Sequence, residues 1–139
     1  MKTRVFSLEE ANALIPELEA RLECLHGKKQ ACERLHDMLL MDELLKEAES
    51  SRGTSGASGR LEEEALRLED SILEIRNEIE KIRSFGCILR NLERGWVDFQ
   101  GQRNGQTVYF CWRRGERTIQ FYSNDSSSSE RLPLALLNA

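Results

Sequence analysis

The chain has 139 residues, of which 40% are hydrophobic and 32% charged, with a formal net charge of −4. That length suits one compact domain, and that balance suits a helical protein with a narrow core and a broad wet surface. An acidic total argues against a generally basic nucleic-acid binder, and no run approaches the roughly 18 apolar residues of a membrane span.

Charge is unevenly spread. Residues 1–83 carry 13 Lys+Arg against 19 Asp+Glu, and residues 84–139 carry 7 Arg, no Lys and 5 Asp+Glu. Eight of the nine aromatic residues also follow residue 84, so an acidic helical part precedes an aromatic, Arg-bearing part. The four cysteines form no C-x-x-C pair and no secretory leader precedes them. Reduced thiols in a cytoplasmic protein are therefore expected.

Ser7-Leu8-Glu9-Glu10 has the form of a capping box, with Ser7 and Glu10 able to satisfy each other's amides. Apolar residues then recur in steps of four and three at Ala11, Ile15, Leu18, Leu22 and Leu25, and again at Cys32, Leu35 and Leu39. The pattern predicts one long helix over 8–48. Pro16 removes a hydrogen bond to the Asn12 carbonyl, so a kink is expected there. Residues 49–60, rich in Gly and Ser, read as a flexible connector.

A second helix is predicted over 61–84. Leu61, Ala65, Leu68, Ile72, Ile75, Ile79 and Ile82 draw one apolar seam along it, and Gly86 stops it. Two such helices fold back as an antiparallel hairpin. The first is much the longer, so Ala11–Leu25 must be covered by the C-terminal part or by a second copy.

After residue 95 the period changes from 3.6 to 2. Residues 96–102, 106–113 and 117–122 read as strands. Asn104-Gly105 fits a type I′ turn and Gly115-Glu116 a type II′ turn. With those turns Val97 faces Trp112, which faces Ile119, and Phe99 faces Phe110, which faces Phe121, all on one side. Trp96, Asp98, Gln100, Tyr109, Cys111, Arg113, Thr118, Gln120 and Tyr122 fall on the other. Residues 123–139 form a tail whose segment Leu132–Leu137 supplies short apolar cover.

Three chemistries are conceivable on this frame. Cys32 and His36, four apart on a helix, have the spacing of two zinc ligands, although a core cysteine beside an exposed histidine is the plainer reading. Cys111 beside Trp112 could serve as a nucleophile, but Asp98 opposite it raises the thiol pKa, the wrong direction for attack. No phosphate-cradling Gly loop, G-x-S-x-G or H-E-x-x-H is present. Single-stranded nucleic acid is the third, held by Trp96, Tyr109 and Tyr122 among Arg103, Arg113, Arg114 and Arg117. The plainer reading of the two tyrosines is a cross-strand pair.

Phe6-Ser7-Leu8-Glu9-Glu10-Ala11-Asn12-Ala13-Leu14-Ile15-Pro16-Glu17-Leu18 resembles the opening of a bacterial family, domain of unknown function 2203. Gly95-Trp96-Val97-Asp98-Phe99, Val108-Tyr109-Phe110-Cys111-Trp112-Arg113 and Gly115-Glu116 are similar to that family's second signature, and Arg131-Leu132-Pro133-Leu134 to its Arg-x-Pro ending. The family pattern closes its last strand with a tryptophan-histidine pair, where this chain has Tyr122-Ser123. The resemblance implies a small bacterial cytoplasmic protein without an assigned activity. It also directs attention to Glu9, Asn12, Asp98, Cys111, Trp112 and Arg113 as a candidate binding site.

The expectation is thus an α+β protein of one domain: a long, kinked antiparallel helical hairpin with a C-terminal three-stranded antiparallel β-meander. Its expected role is a non-catalytic interaction module that self-associates as a dimer, with no cofactor, no metal and no membrane.

Overall fold

The computed structural model describes residues 4–50, 58–125 and 130–138. Two helices, α1 (Leu8–Ser50) and α2 (Ser58–Arg83), precede five strands: β1 (Ile88–Asn91), β2 (Trp96–Arg103), β3 (Gln106–Arg113), β4 (Phe121–Ser123) and β5 (Leu132–Pro133). A 3₁₀ helix, Leu134–Asn138, ends the described chain. The expected connector and the serine run Ser126–Ser129 lie largely outside the described residues. α1 is one continuous helix of 43 residues with Pro16 inside it. Its start is the capping box: Ser7 Oγ accepts from the Glu10 amide at 3.1 Å, and the Glu10 carboxylate accepts from the Ser7 amide at 3.0 Å. Those bonds, with Arg4 beside them, hold the Glu10 carboxyl below its ordinary range.

The chain divides into two compact units, one of Met1–Glu23 with Ile79–Ala139 and one of Cys24–Glu78. In the first, the strands run in the order β1-β2-β3-β4-β5, every neighbour antiparallel. Asn104 (φ 52°) and Gly105 (φ 79°) make the β2–β3 turn, which sets Val97 opposite Trp112 and Phe99 opposite Phe110. These four are buried together with Ala11, Ile15, Leu18 and Leu22 of α1. Phe6 meets Phe99 edge to face at 5.1 Å, and its amide donates to the Gln100 carbonyl at 2.7 Å. Gly101 has no room for a side chain, because a Cβ there would stand 2.5 Å from the Phe110 ring.

The sheet has five strands rather than the three expected, and its last register differs by one residue. Phe110 pairs with Tyr122, not with Phe121, so Tyr122 enters the core and Phe121 turns to the opposite face. The cause lies in residues 114–120. Instead of a two-residue turn they form a wider loop pinned by side-chain bonds, two of them local and one from α1. The Trp112 indole donates to the Glu116 carbonyl at 2.7 Å, the Glu116 carboxylate accepts from the Arg113 amide at 2.7 Å, and Asn12 Oδ1 accepts from the Ile119 amide at 2.8 Å.

In the second unit the two helical segments are antiparallel. Lys28 lies 3.8 Å from both Glu74 and Glu78, whereas Asp42 lies 3.5 Å from Arg60, so the contacts run in opposite sequence directions. Of the expected seam on α2, Ile82 is buried and Leu61, Ala65, Leu68, Ile75 and Ile79 are half-buried. Glu64, Ser71 and Glu78, spaced by seven, are buried, while Ile72 stays 40% exposed. On the facing helix Lys28 meets Glu78 and Asp42 meets Glu64, with Arg60 of α2 itself beside Glu64. The Glu64 carboxyl is raised above its ordinary range, first by its hydrogen bond with the Asp42 carboxyl and then by burial.

Candidate functional site

The face of the sheet opposite the aromatic core concentrates unusual chemistry. Trp96 and Asp98 are two apart on β2 and so share this side, as do Cys111 and Arg113 on β3. The Asp98 carboxylate is fully buried and accepts twice, from Arg90 Nη1 at 2.6 Å and from the Trp96 indole at 3.0 Å. The guanidinium groups of Arg90 and Arg113 both lie over the Trp96 ring, each 4.8 Å from its centroid. Nearby, Glu116 holds the Arg113 amide and also accepts from Arg131 Nη2 at 2.8 Å, and the Arg131 guanidinium stands 4.2 Å over Phe121. Three cations and two carboxylates thus cover a floor of Trp96, Cys111 and Phe121.

Cys111 sits opposite both Asp98 and Phe121 and is buried. Burial first, and then the Asp98 charge and hydrogen bond, push its thiol up to about 12. A thiol so protonated is no nucleophile at neutral pH. Both histidines lie in the Cys24–Glu78 unit, on α1.

The six residues singled out from the sequence do not converge. Asp98, Cys111 and Arg113 share the guanidinium face. Trp112 lies on the core face, Asn12 serves the Ile119 amide, and Glu9 is exposed on the first turn of α1. The nucleic-acid platform is likewise not assembled. Trp96 is only 7% exposed beneath its two arginines, and Tyr122 is buried in the core. Arg114 pairs with Glu19 at 3.7 Å, Arg103 and Arg117 are exposed, and Tyr109 is half-buried. As for metal, Cys32 is half-buried and His36 exposed. No group of three or more His, Cys, Asp or Glu side chains is placed to hold an ion among the described residues. All four cysteines are free thiols.

Sequence reasoning missed Arg90, Glu116, Phe121 and Arg131 as members of this face. The signal for Arg90 was faint, four residues after a glycine stop, and its strand shows only when paired with β2. Phe121 was assigned to the wrong side by the one-residue slip. A separate cleft of about 280 Å³ in this unit is walled by Phe6, Leu8, Phe110, Leu134 and Leu137, with Gln102 and Arg103. Among the described residues no helix is long and apolar enough to cross a membrane.

No curated protein and no solved structure matches the chain. One family model does, over residues 4–134, nearly the whole sequence and every residue of the guanidinium face. The chain belongs to the family described as uncharacterized conserved protein (DUF2203).

Proposed function

We propose that this chain is a non-catalytic cytoplasmic interaction module that joins a second copy of itself through its helical unit. The observation that supports this reading is where its wet apolar side chains lie. Of the ten large hydrophobic residues described as exposed, eight fall within residues 24–78: Met38, Leu40, Met41, Leu44, Leu45, Leu66, Ile72 and Leu73. They recur at helical spacings, Met38 and Leu45 one heptad apart with Met41 between, and Leu66 and Leu73 one heptad apart on α2. Each is 40–61% exposed. Helices apolar beyond their own seam are ordinarily covered, and two antiparallel hairpins cover each other as a four-helix bundle.

The test is the mass in solution. Light scattering across a concentration series should give twice the 16.0 kDa chain mass. The variant Leu66→Glu/Leu73→Glu should return the single-chain mass with an unchanged far-ultraviolet spectrum. A single-chain mass for the wild type at every concentration would overturn the reading.

A further inference from the structure

Charges withdrawn from water are expensive unless answered, so half-buried ions in folded chains have counter-ions. On the guanidinium face Asp98 is answered by Arg90 and Glu116 by Arg131. Arg113 is the exception. Its guanidinium lies half-buried over Trp96, its Nε is closed to solvent without an acceptor, and its side chain makes no hydrogen bond or ion pair among the described residues. The Nε of Arg131 is orphaned in the same way. Of the three guanidinium groups on this face, that of Arg113 is the one with no carboxylate against it among the described residues.

The shelf beneath that charge is rigid. The Trp96 indole is fixed by its bond to Asp98, and Asp98 by Arg90. The Arg113 guanidinium has one flat face covered by the ring and its Nε closed to solvent, so the edge left for an anion is the one formed by its two terminal Nη groups. That edge is a planar fork that matches two oxygens of one anion. The second guanidinium over the same ring, Arg90, stands at most twice 4.8 Å away with the Asp98 carboxylate against it. With only 7% of Trp96 exposed, a base could not stack on that ring.

We infer that Arg113, shelved on Trp96 and backed by Arg90, is the receptor for an oxyanion: the carboxylate or phosphate group of a small molecule. This site is independent of self-association, since it uses the sheet and not the helical unit.

The experiment follows the Arg Nε–H resonances of the ¹⁵N-labelled full chain by NMR. Inorganic phosphate and acetate are titrated separately, with chloride at matched ionic strength as the control. A saturable shift of the Arg113 signal with phosphate or acetate, absent with chloride, is expected, and the anion that saturates first names the class. Arg113→Lys keeps the charge but loses the fork, so half-saturation should rise by about tenfold or more, while Arg117→Lys, at an exposed position, should leave it unchanged. Linear shifts no different from chloride, saturation at another arginine only, or a curve unaltered by Arg113→Lys would each overturn the assignment. Should Arg113→Lys lose its amide dispersion, the wild-type comparison of the salts decides alone.

Discussion

Replacing Asp98 by alanine tests whether the guanidinium face is held from beneath. The carboxylate has no exposed surface and accepts from Arg90 at 2.6 Å and from the Trp96 indole at 3.0 Å. Hydrogen bonds to a charged group contribute about 1.5–3 kcal/mol each, and removing one partner of a buried pair costs about 3–5 kcal/mol, because the other is left unanswered. Arg90 is 16% exposed and can swing partly into water, which places the expected loss near the lower end, about 3 kcal/mol. For a chain of this size that is a fall of roughly 10 °C in Tm. Asp98→Asn keeps an acceptor for the indole and should lose about 2 kcal/mol. Both tryptophans, Trp96 and Trp112, lie in the sheet unit, so their emission during urea unfolding reports that unit and not the helical one. An alanine variant within about 1 kcal/mol of wild type would refute the reasoning, for Asp98 would then not organise the face.

Asn12→Ala should leave the Ile119 amide without its acceptor, at about 1–2 kcal/mol, and accelerate hydrogen exchange at Ile119 ahead of the strand amides. Glu64→Gln should stabilise the helical unit at neutral pH. The folded carboxyl of Glu64 is raised, so the stability it lends is full below the ordinary glutamate value and fades as pH rises past the raised one. Far-ultraviolet melts of wild type should accordingly strengthen on mild acidification, and those of Glu64→Gln should strengthen less. Iodoacetamide near pH about 8, below the ordinary thiol value, should label exposed Cys24 first. Cys87, pushed up to about 11, and Cys111, to about 12, should resist until the chain unfolds, as read by peptide mass spectrometry.

Local chemistry was legible wherever it decided the outcome. The capping box at Ser7, the stripe from Ala11 to Leu22 and the Asn104-Gly105 turn are all visible in the sequence, and each stands as read. What was not legible depended on side-chain partners outside the local pattern. The loop at 114–120 takes its shape from Asn12, 107 residues away, and from the Trp112 indole, so Gly115-Glu116 gave the wrong turn length and Phe121 the wrong face. In α2, Glu64 and Glu78 are buried against Asp42 and Lys28 of α1, partners that no periodicity in α2 alone can show. The candidate site was half visible: Asp98, Cys111 and Arg113 were named, but Arg90 lies on a strand too short to alternate.

The two rims of the sheet are unequal and both are blunt. β1 is four residues long and irregular between Leu89 and Asn91, and β5 is two residues long and ends on Pro133, which has no amide to give. Neither rim offers the long unsatisfied row of donors and acceptors on which a foreign strand could template itself. Rims this short are poor templates for the addition of a further strand to the native fold.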